Sequence, residues 1–216
     1  MISEIFVSYQ GEGLYAGEKH IFVRFYGCNL RCSYCDEKRK TYKLYTLNNV
    51  IDKIKRLAKI NNIKTVSFTG GEPLLYTIFI KDIIKKLRGY RFLLETNGVL
   101  YRELETIIRD IDIVSMDIKL PQYSGFDKFL EHRKFLFIAR DKAYVKLVFD
   151  KNLNIKDFKK ALSIVSGISK KIPFFIQPSF SKNIDFALVD RLYYMASKKL
   201  DNVRFLPQIH KFLGVK

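Results

Sequence analysis

Three cysteines occur in this chain of 216 residues, and all three fall within eight positions: Cys28, Cys32 and Cys35. They lie in the run Gly27-Cys28-Asn29-Leu30-Arg31-Cys32-Ser33-Tyr34-Cys35-Asp36, a C-x3-C-x2-C spacing with no fourth cysteine elsewhere. A cubane [4Fe–4S] cluster takes one thiolate per iron. Three thiolates leave one iron with an open position, and an open position is where a metal centre does chemistry as well as holding structure. Two other readings fit less well. Three thiols cannot pair off as disulfides without a remainder. A structural zinc site would need a histidine from among His20, His132 and His210, and His20, eight residues before Cys28, is not at a common zinc-knuckle spacing.

A second signature lies downstream, in Thr69-Gly70-Gly71-Glu72-Pro73. Paired glycines allow positive φ and close approach of the backbone to a ligand, such as the amino and carboxylate groups of a methionine. Pro73 removes a donor and ends strand pairing. Gly-Gly before a proline is common turn material, so the run gains meaning only from its place after the cysteine loop.

The elements that must hold these residues are readable from periodicity. Short apolar runs at 21–26, 65–69, 91–96, 113–117, 144–149 and 173–176 predict strands, with a last short one at 203–206. Amphipathic stretches lie between them. Thr46 predicts the cap of a helix carrying Val50, Ile51, Ile54, Leu57 and Ala58 at 3.6-residue spacing. Ile80, Ile83, Ile84 and Leu87 predict another, ended by Gly89. Phe158, Leu162 and Val165 predict a third, ended by Gly167. The cysteine loop, the Gly-Gly turn, Glu95-Thr96-Asn97-Gly98, Asp117-Ile118-Lys119, Asp150 and Gln177-Pro178 all fall at C-terminal strand ends, the edge where parallel α/β folds bind ligands. The pattern predicts an α/β fold, an incomplete parallel (β/α)6-type barrel, since six main strands are fewer than eight. A short N-terminal extension and a C-terminal segment closing the site complete it, and residues 1–216 read as one domain.

Bulk properties narrow the class. Hydrophobic content is 48%, no apolar stretch reaches membrane-spanning length, and the N-terminal region carries Glu4, Glu12 and Glu18 in place of a signal-peptide core. A cytoplasmic location is expected, reducing enough to keep thiolates intact. Lys and Arg total 39 against 22 Asp and Glu, a net charge of +17. The lysines are scattered along predicted helix faces, which favours a solvated surface or the docking of an acidic electron donor over a nucleic-acid site.

The cysteine motif with the downstream Gly-Gly-Glu-Pro resembles the radical S-adenosylmethionine (SAM) superfamily. Three further runs resemble one family within it, 7-carboxy-7-deazaguanine synthase. These are Ser8-Tyr9-Gln10-Gly11-Glu12-Gly13 continuing at Phe22-Val23-Arg24-Phe25-Tyr26-Gly27, then Ser115-Met116-Asp117-Ile118-Lys119-Leu120-Pro121, and Val203-Arg204-Phe205-Leu206-Pro207-Gln208-Ile209-His210-Lys211. The resemblance implies ring contraction of 6-carboxy-5,6,7,8-tetrahydropterin to 7-carboxy-7-deazaguanine with loss of ammonia, on the way to deazapurine tRNA bases. It implies a [4Fe–4S] cluster on Cys28, Cys32 and Cys35, SAM, Mg2+, a reduced flavodoxin or ferredoxin as electron donor, and a homodimer. It places Gln10, Glu12, Arg24, Glu95 and His210 at the pterin, and Gly70, Gly71, Glu72, Ser115, Lys119 and Gln177 at SAM. Arg24 offers a planar fork for a carboxylate; the alternative for it is a structural ion pair, and for His210 a packed histidine. The family usually reads Cys-Asp-Thr at the third cysteine, with the threonine linked to Mg2+. Here Cys35-Asp36-Glu37 puts a carboxylate there, either a metal ligand or a solvated side chain. A radical SAM activase that forms a glycyl radical on a partner enzyme is the competing function; it lacks the Gln-Gly-Glu-Gly segment.

Overall fold

Successive side chains of a strand point to opposite faces, and in the parallel strands of this chain the two faces meet different surroundings. A computed structural model of the chain describes residues 1–35, 37, 41–180 and 184–214. Eight strands form one sheet in chain order: β1 (Ile2–Tyr9), β2 (Lys19–Phe25), β3 (Thr65–Gly70), β4 (Arg91–Thr96), β5 (Ile113–Asp117), β6 (Ala143–Phe149), β7 (Phe174–Pro178) and β8 (Val203–Phe205). From β2 to β8 every neighbouring pair is parallel, while β1 runs antiparallel to β2 with Ile5 opposite Val23. The hydrogen-bonded order begins at β1 and ends at β8, so the barrel is open between them.

Helices cross over between the strands: α1 (Leu47–Asn61), α2 (Thr77–Lys86), α3 (Tyr101–Ile107), α4 (Pro121–Ser124), α5 (Phe129–Ala139), α6 (Ile155–Ile168), α7 (Phe186–Ser197) and α8 (Ile209–Leu213). Their apolar faces cover the outward positions of the strands. Val23, Phe25, Val66, Phe68, Phe92, Leu94, Val114, Met116, Val145, Leu147, Phe174 and Ile176 all belong to that one buried core. A fully buried side chain of this size contributes about 1.5–3 kcal/mol. The inward positions read differently. Leu93, Ile113, Tyr144 and Phe175 form a separate apolar layer inside the barrel, closed by Tyr15 and Leu206. Two residues further along the same four strands stand Glu95, Ser115, Lys146 and Gln177. A polar layer is thus stacked on an apolar floor by the period of two alone.

The predicted strands and the Thr46 cap are present. Thr46 Oγ1 accepts the Asn49 N–H at 3.2 Å, and α1 ends at Asn62 with φ 54°. Three details differ. The N-terminal extension is a full strand, β1, whose partly exposed edge face hides the alternation that marks the buried strands. Gly89 lies two residues past the cap of α2, and Gly167 lies inside α6 instead of ending it. No helix among the described residues is long and apolar enough to cross a membrane.

Candidate active site

The strand ends and the loop after β1 enclose a cavity of about 1180 Å3, lined by all three cysteines, by Gln10, Glu12, Arg24, Glu95, Ser115, Lys119 and Lys146, and by His210. One wall is the cysteine loop, and backbone contacts shape it. Gly70 has φ 119°, and a Cβ there would stand 2.1 Å from the Phe25 carbonyl oxygen. A Cβ on Gly71 would stand 1.9 Å from the Gly27 oxygen. The Gly71 N–H donates to Phe25 O at 3.1 Å and the Glu72 N–H to Gly27 O at 2.9 Å. The glycine pair therefore seats the end of β3 directly on the root of the cysteine loop.

Glu72 is fully buried and does not line the cavity. Its carboxylate accepts the N–H of Leu74 at 3.1 Å, Thr96 Oγ1 at 2.9 Å and the N–H of Asn97 at 2.9 Å. Burial pushes it up to about 7, against the pull of those hydrogen bonds. Asn97 carries the support onward. Its Nδ2 donates to Asn29 Oδ1 at 2.7 Å and lies 3.7 Å from Cys28 Sγ, while its carbonyl faces His132 Nε2 at 3.1 Å. Burial lowers His132 to about 4, so the ring is neutral at ordinary pH. On the far side of the loop, Ser33 N–H donates to Tyr123 O at 2.9 Å, the Tyr34 and Tyr123 rings meet at 4.8 Å, and Lys119 Nζ lies 5.0 Å from the centre of Tyr34. Lys119 is held protonated: burial opposes its charge, and Asp117 at 2.8 Å overcomes that.

The opposite wall is built from charges. Because β1 runs against the others, the loop after it enters from the N-terminal ends of the parallel strands. Gln10 Nε2 donates to Glu95 Oε1 at 2.7 Å, and Thr69 Oγ1 donates to the other Glu95 oxygen at 2.6 Å. Glu12 pairs with Lys146 through Oε2 and accepts Gln177 Nε2 at 2.9 Å and Gln208 Nε2 at 2.8 Å on Oε1. Burial works against the charge on Glu12, yet Lys146, Gln208 and His210 hold it down to about 2. The segment after β8 closes the open side of the barrel here. Ile209 N–H donates to Gly11 O at 3.0 Å, and a Cβ on Gly11 would lie 2.3 Å from His210 Nδ1. Ser115 Oγ, Gln177 Oε1 and Asp117 Oδ1 are buried without a hydrogen-bond partner in this arrangement.

The residues singled out from sequence thus meet in one place, with three differences in role. Glu72 and Gln177 are wholly buried and stand behind the lining, not in it. Arg24 and Glu37, read separately as a substrate fork and a metal ligand, contact each other at 2.9 Å, with the Arg24 guanidinium 4.9 Å from the Phe6 ring centre. Lys146 is in none of the motif runs singled out from the sequence, and Asn97 and Gln208 stand in such runs without a role of their own. A lone lysine in the otherwise apolar run of β6 was the available signal for the first.

The site fits a three-thiolate cluster. The thiols share one loop and one cavity, and burial pushes Cys32 up to about 11, so iron would displace protons on binding. Among the described residues, no three His, Cys, Asp or Glu side chains converge to hold a single metal ion.

Comparison with known proteins agrees. Residues 22–147 match the Radical SAM superfamily. The 7-carboxy-7-deazaguanine synthase of Methanocaldococcus jannaschii is 35% identical over 100% of both chains, and that of Geobacter sulfurreducens is 32% identical over 99% of this chain and 96% of the relative. The synthase of Clostridium acetobutylicum is 34% identical over 98% of this chain and 95% of its own. In fold, the crystal structure of QueE from Escherichia coli superposes with a TM-score of 0.65 at 20% identity, over 97% of this chain and 93% of that one. Streptococcus suis SuiB bound to S-adenosylmethionine gives 0.60 at 18% identity, over 83% of this chain and 48% of that one. Superfamily membership implies a [4Fe–4S] cluster and SAM, and with relatives matched end to end above 30% identity, the chain belongs to the 7-carboxy-7-deazaguanine synthase family of radical SAM enzymes.

Proposed function

We propose that this chain converts 6-carboxy-5,6,7,8-tetrahydropterin to 7-carboxy-7-deazaguanine and ammonia, with residues 1–216 acting as one radical SAM unit. The observation that carries it is a single cavity with two unlike walls, a three-thiol loop on one side and an acceptor-rich polar layer on the other. Cys28, Cys32 and Cys35 would hold the cluster, and cluster and SAM together would supply radical chemistry at the substrate. Gly70 and Gly71 hold the loop in place and offer backbone groups to the methionine end of SAM. Ser115 and Lys119 line the cavity beside them. Gln10, Glu12 and Glu95 accept from or orient the pterin, and Arg24 takes its carboxylate. The apolar floor under this layer, Leu93, Ile113, Tyr144 and Phe175, gives the reacting carbon a water-poor base.

A divalent cation fits the site less completely. Glu37 is the protein ligand on offer, and in this structure it sits on Arg24. Mg2+ commonly takes one or two carboxylates and completes its shell from substrate and water, so the substrate's own oxygens would supply the rest. The net charge of +17 suits an acidic flavodoxin or ferredoxin as electron donor. The relatives support the synthase reading over a glycyl-radical activase.

The test is anaerobic incubation of reconstituted protein with SAM, reductant and the carboxytetrahydropterin, followed by mass analysis. Formation of 7-carboxy-7-deazaguanine with ammonia is expected. SAM cleavage with the pterin recovered intact would overturn the substrate assignment.

A further inference from the structure

We propose that Lys146 is a specificity-determining positioning residue, one that fixes Glu12 as an anionic acceptor and so makes the cavity read a donor–donor edge, an amino group beside a ring N–H. The inference rests on the pterin reading above and adds to it a residue that no motif singles out.

Lys146 lies on β6, all seven residues of which are buried, and its own exposure is 5%. A buried ammonium is costly unless paired. Its partner is Glu12, brought in from a loop 134 residues away. A carboxylate offers about four lone-pair directions. Gln177 and Gln208 occupy two on Oε1 and Lys146 one on Oε2, which leaves one acceptor direction for a ligand. Were Glu12 protonated, it would present a donor there and repel the edge it now accepts.

The charges facing Glu12 support this. Lys146 on β6 and His210 on α8 favour its ionised form. Burial opposes the charge on Lys146, and Glu12 first, then Asp117 on β5 and Glu95 on β4, hold the ammonium charged. With Lys146 gone, burial, the largest influence on Glu12, is opposed only by the weaker Gln208 and His210. Its protonation then moves up toward the assay range, and acceptor character is lost as pH falls.

The experiment is KM and kcat against pH for wild type, Lys146→Met, Lys146→Arg and the double variant Glu12→Gln/Lys146→Met. In Lys146→Met, KM for the pterin is expected to rise on the order of 10-fold or more near pH 6, the scale of a charge-assisted hydrogen bond, and to recover toward pH 8. Wild-type KM should be flat over that range, and Lys146→Arg should restore most of the loss. The double variant removes both charges together, so it keeps the fold readable; its KM should be high and independent of pH. His210 is common to all four proteins and drops out of the ratios. A Lys146→Met KM equal to wild type, a loss confined to kcat, or the same pH dependence in the double variant would each overturn the inference. If wild type itself makes no 7-carboxy-7-deazaguanine, the pterin reading falls and the inference with it. If wild type turns over and the variants match it, the inference alone falls.

Discussion

The two walls of the cavity are held by different physics. The cysteine wall rests on backbone contacts and neutral hydrogen bonds: Gly71 against Gly27, Glu72 tied to three donors, Asn97 tied to Asn29 and backed by a neutral His132. The facing wall rests on ion pairs: Glu12 with Lys146, Arg24 with Glu37, Lys119 with Asp117 at the border. The difference follows from the tasks. A loop that must present thiolates to iron gains from geometry fixed by its backbone, with Lys119 a cation that acts on Cys32. A surface that must recognise a polar heterocycle gains from charges already paired and oriented, so that little reorganisation accompanies binding. Damage to the first wall should therefore appear in cluster content and stability, and damage to the second in substrate affinity.

The largest expected effect tests the first half of that contrast. Each of Cys28→Ala, Cys32→Ala and Cys35→Ala should abolish SAM cleavage and iron loading, where the reconstituted wild type holds about four irons per chain. Iron analysis and the absorption shoulder of the cluster decide it. Stoichiometric zinc without iron in the wild type would remove the basis of the cluster assignment.

Next in size is the acid limb set by His132. In the unfolded chain its ordinary value is 6.5; in the folded protein burial lowers it to about 4. Below 6.5 the unfolded state binds a proton that the native state does not. Its stabilising contribution is therefore complete above that pH and is lost as pH falls toward 4, at most about 3 kcal/mol for a shift of this size. His132→Gln keeps a donor toward the Asn97 carbonyl without the titration. Thermal unfolding between pH 4 and pH 7 should show a shallower acid decline in that variant. Parallel pH curves for the two proteins would show that His132 is not the group responsible.

On the charged wall, Arg24→Ala should weaken substrate binding by about 1.5–3 kcal/mol, the range for a charge-assisted hydrogen bond, with SAM binding nearly unchanged. Equilibrium binding of both ligands to the same preparation checks it. Loss of SAM affinity would move Arg24 out of the substrate half and erase the contrast.

The same contrast explains what could be read ahead. The cysteine spacing, the glycine pair and the strand periodicity are local signals, with each meaning carried within ten residues of chain. They carry the fold and the polarised strand ends, and they bring the three thiols into one loop. The charged wall is long-range: Glu12 meets Lys146, Gln177 and Gln208 across 134, 165 and 196 residues. Types and spacing show that Glu12 is polar, not which cation neutralises it. β1 was legible only as an extension, since an antiparallel edge strand with mixed Ser and Glu content lacks the continuous apolar run of its parallel neighbours. The motif at Glu72 implies a contact to SAM, and the fold adds what the motif does not carry, that its oxygens accept from Leu74, Thr96 and Asn97.

The smallest expected effect concerns Glu37, where the two walls meet at the cavity mouth. Its carboxylate rests on Arg24, both side chains partly exposed, at 22% for Arg24 and 15% for Glu37. A pair of that exposure is worth at most about 1 kcal/mol, so a cation or an incoming carboxylate can separate it. If Glu37 serves Mg2+, the ion must draw it from Arg24, and the freed guanidinium then becomes available to the substrate. Glu37→Gln removes the charge that a hard cation prefers while keeping the shape. The Mg2+ concentration for half-maximal turnover should rise by a few-fold, within about 1 kcal/mol, and Glu37→Thr should keep activity with the hydroxyl arrangement usual in the family. Mg2+ titrations of turnover for wild type and Glu37→Gln settle the matter. Superimposable curves would mean that Glu37 is not a metal ligand and that the metal takes its ligands from the substrate and other groups.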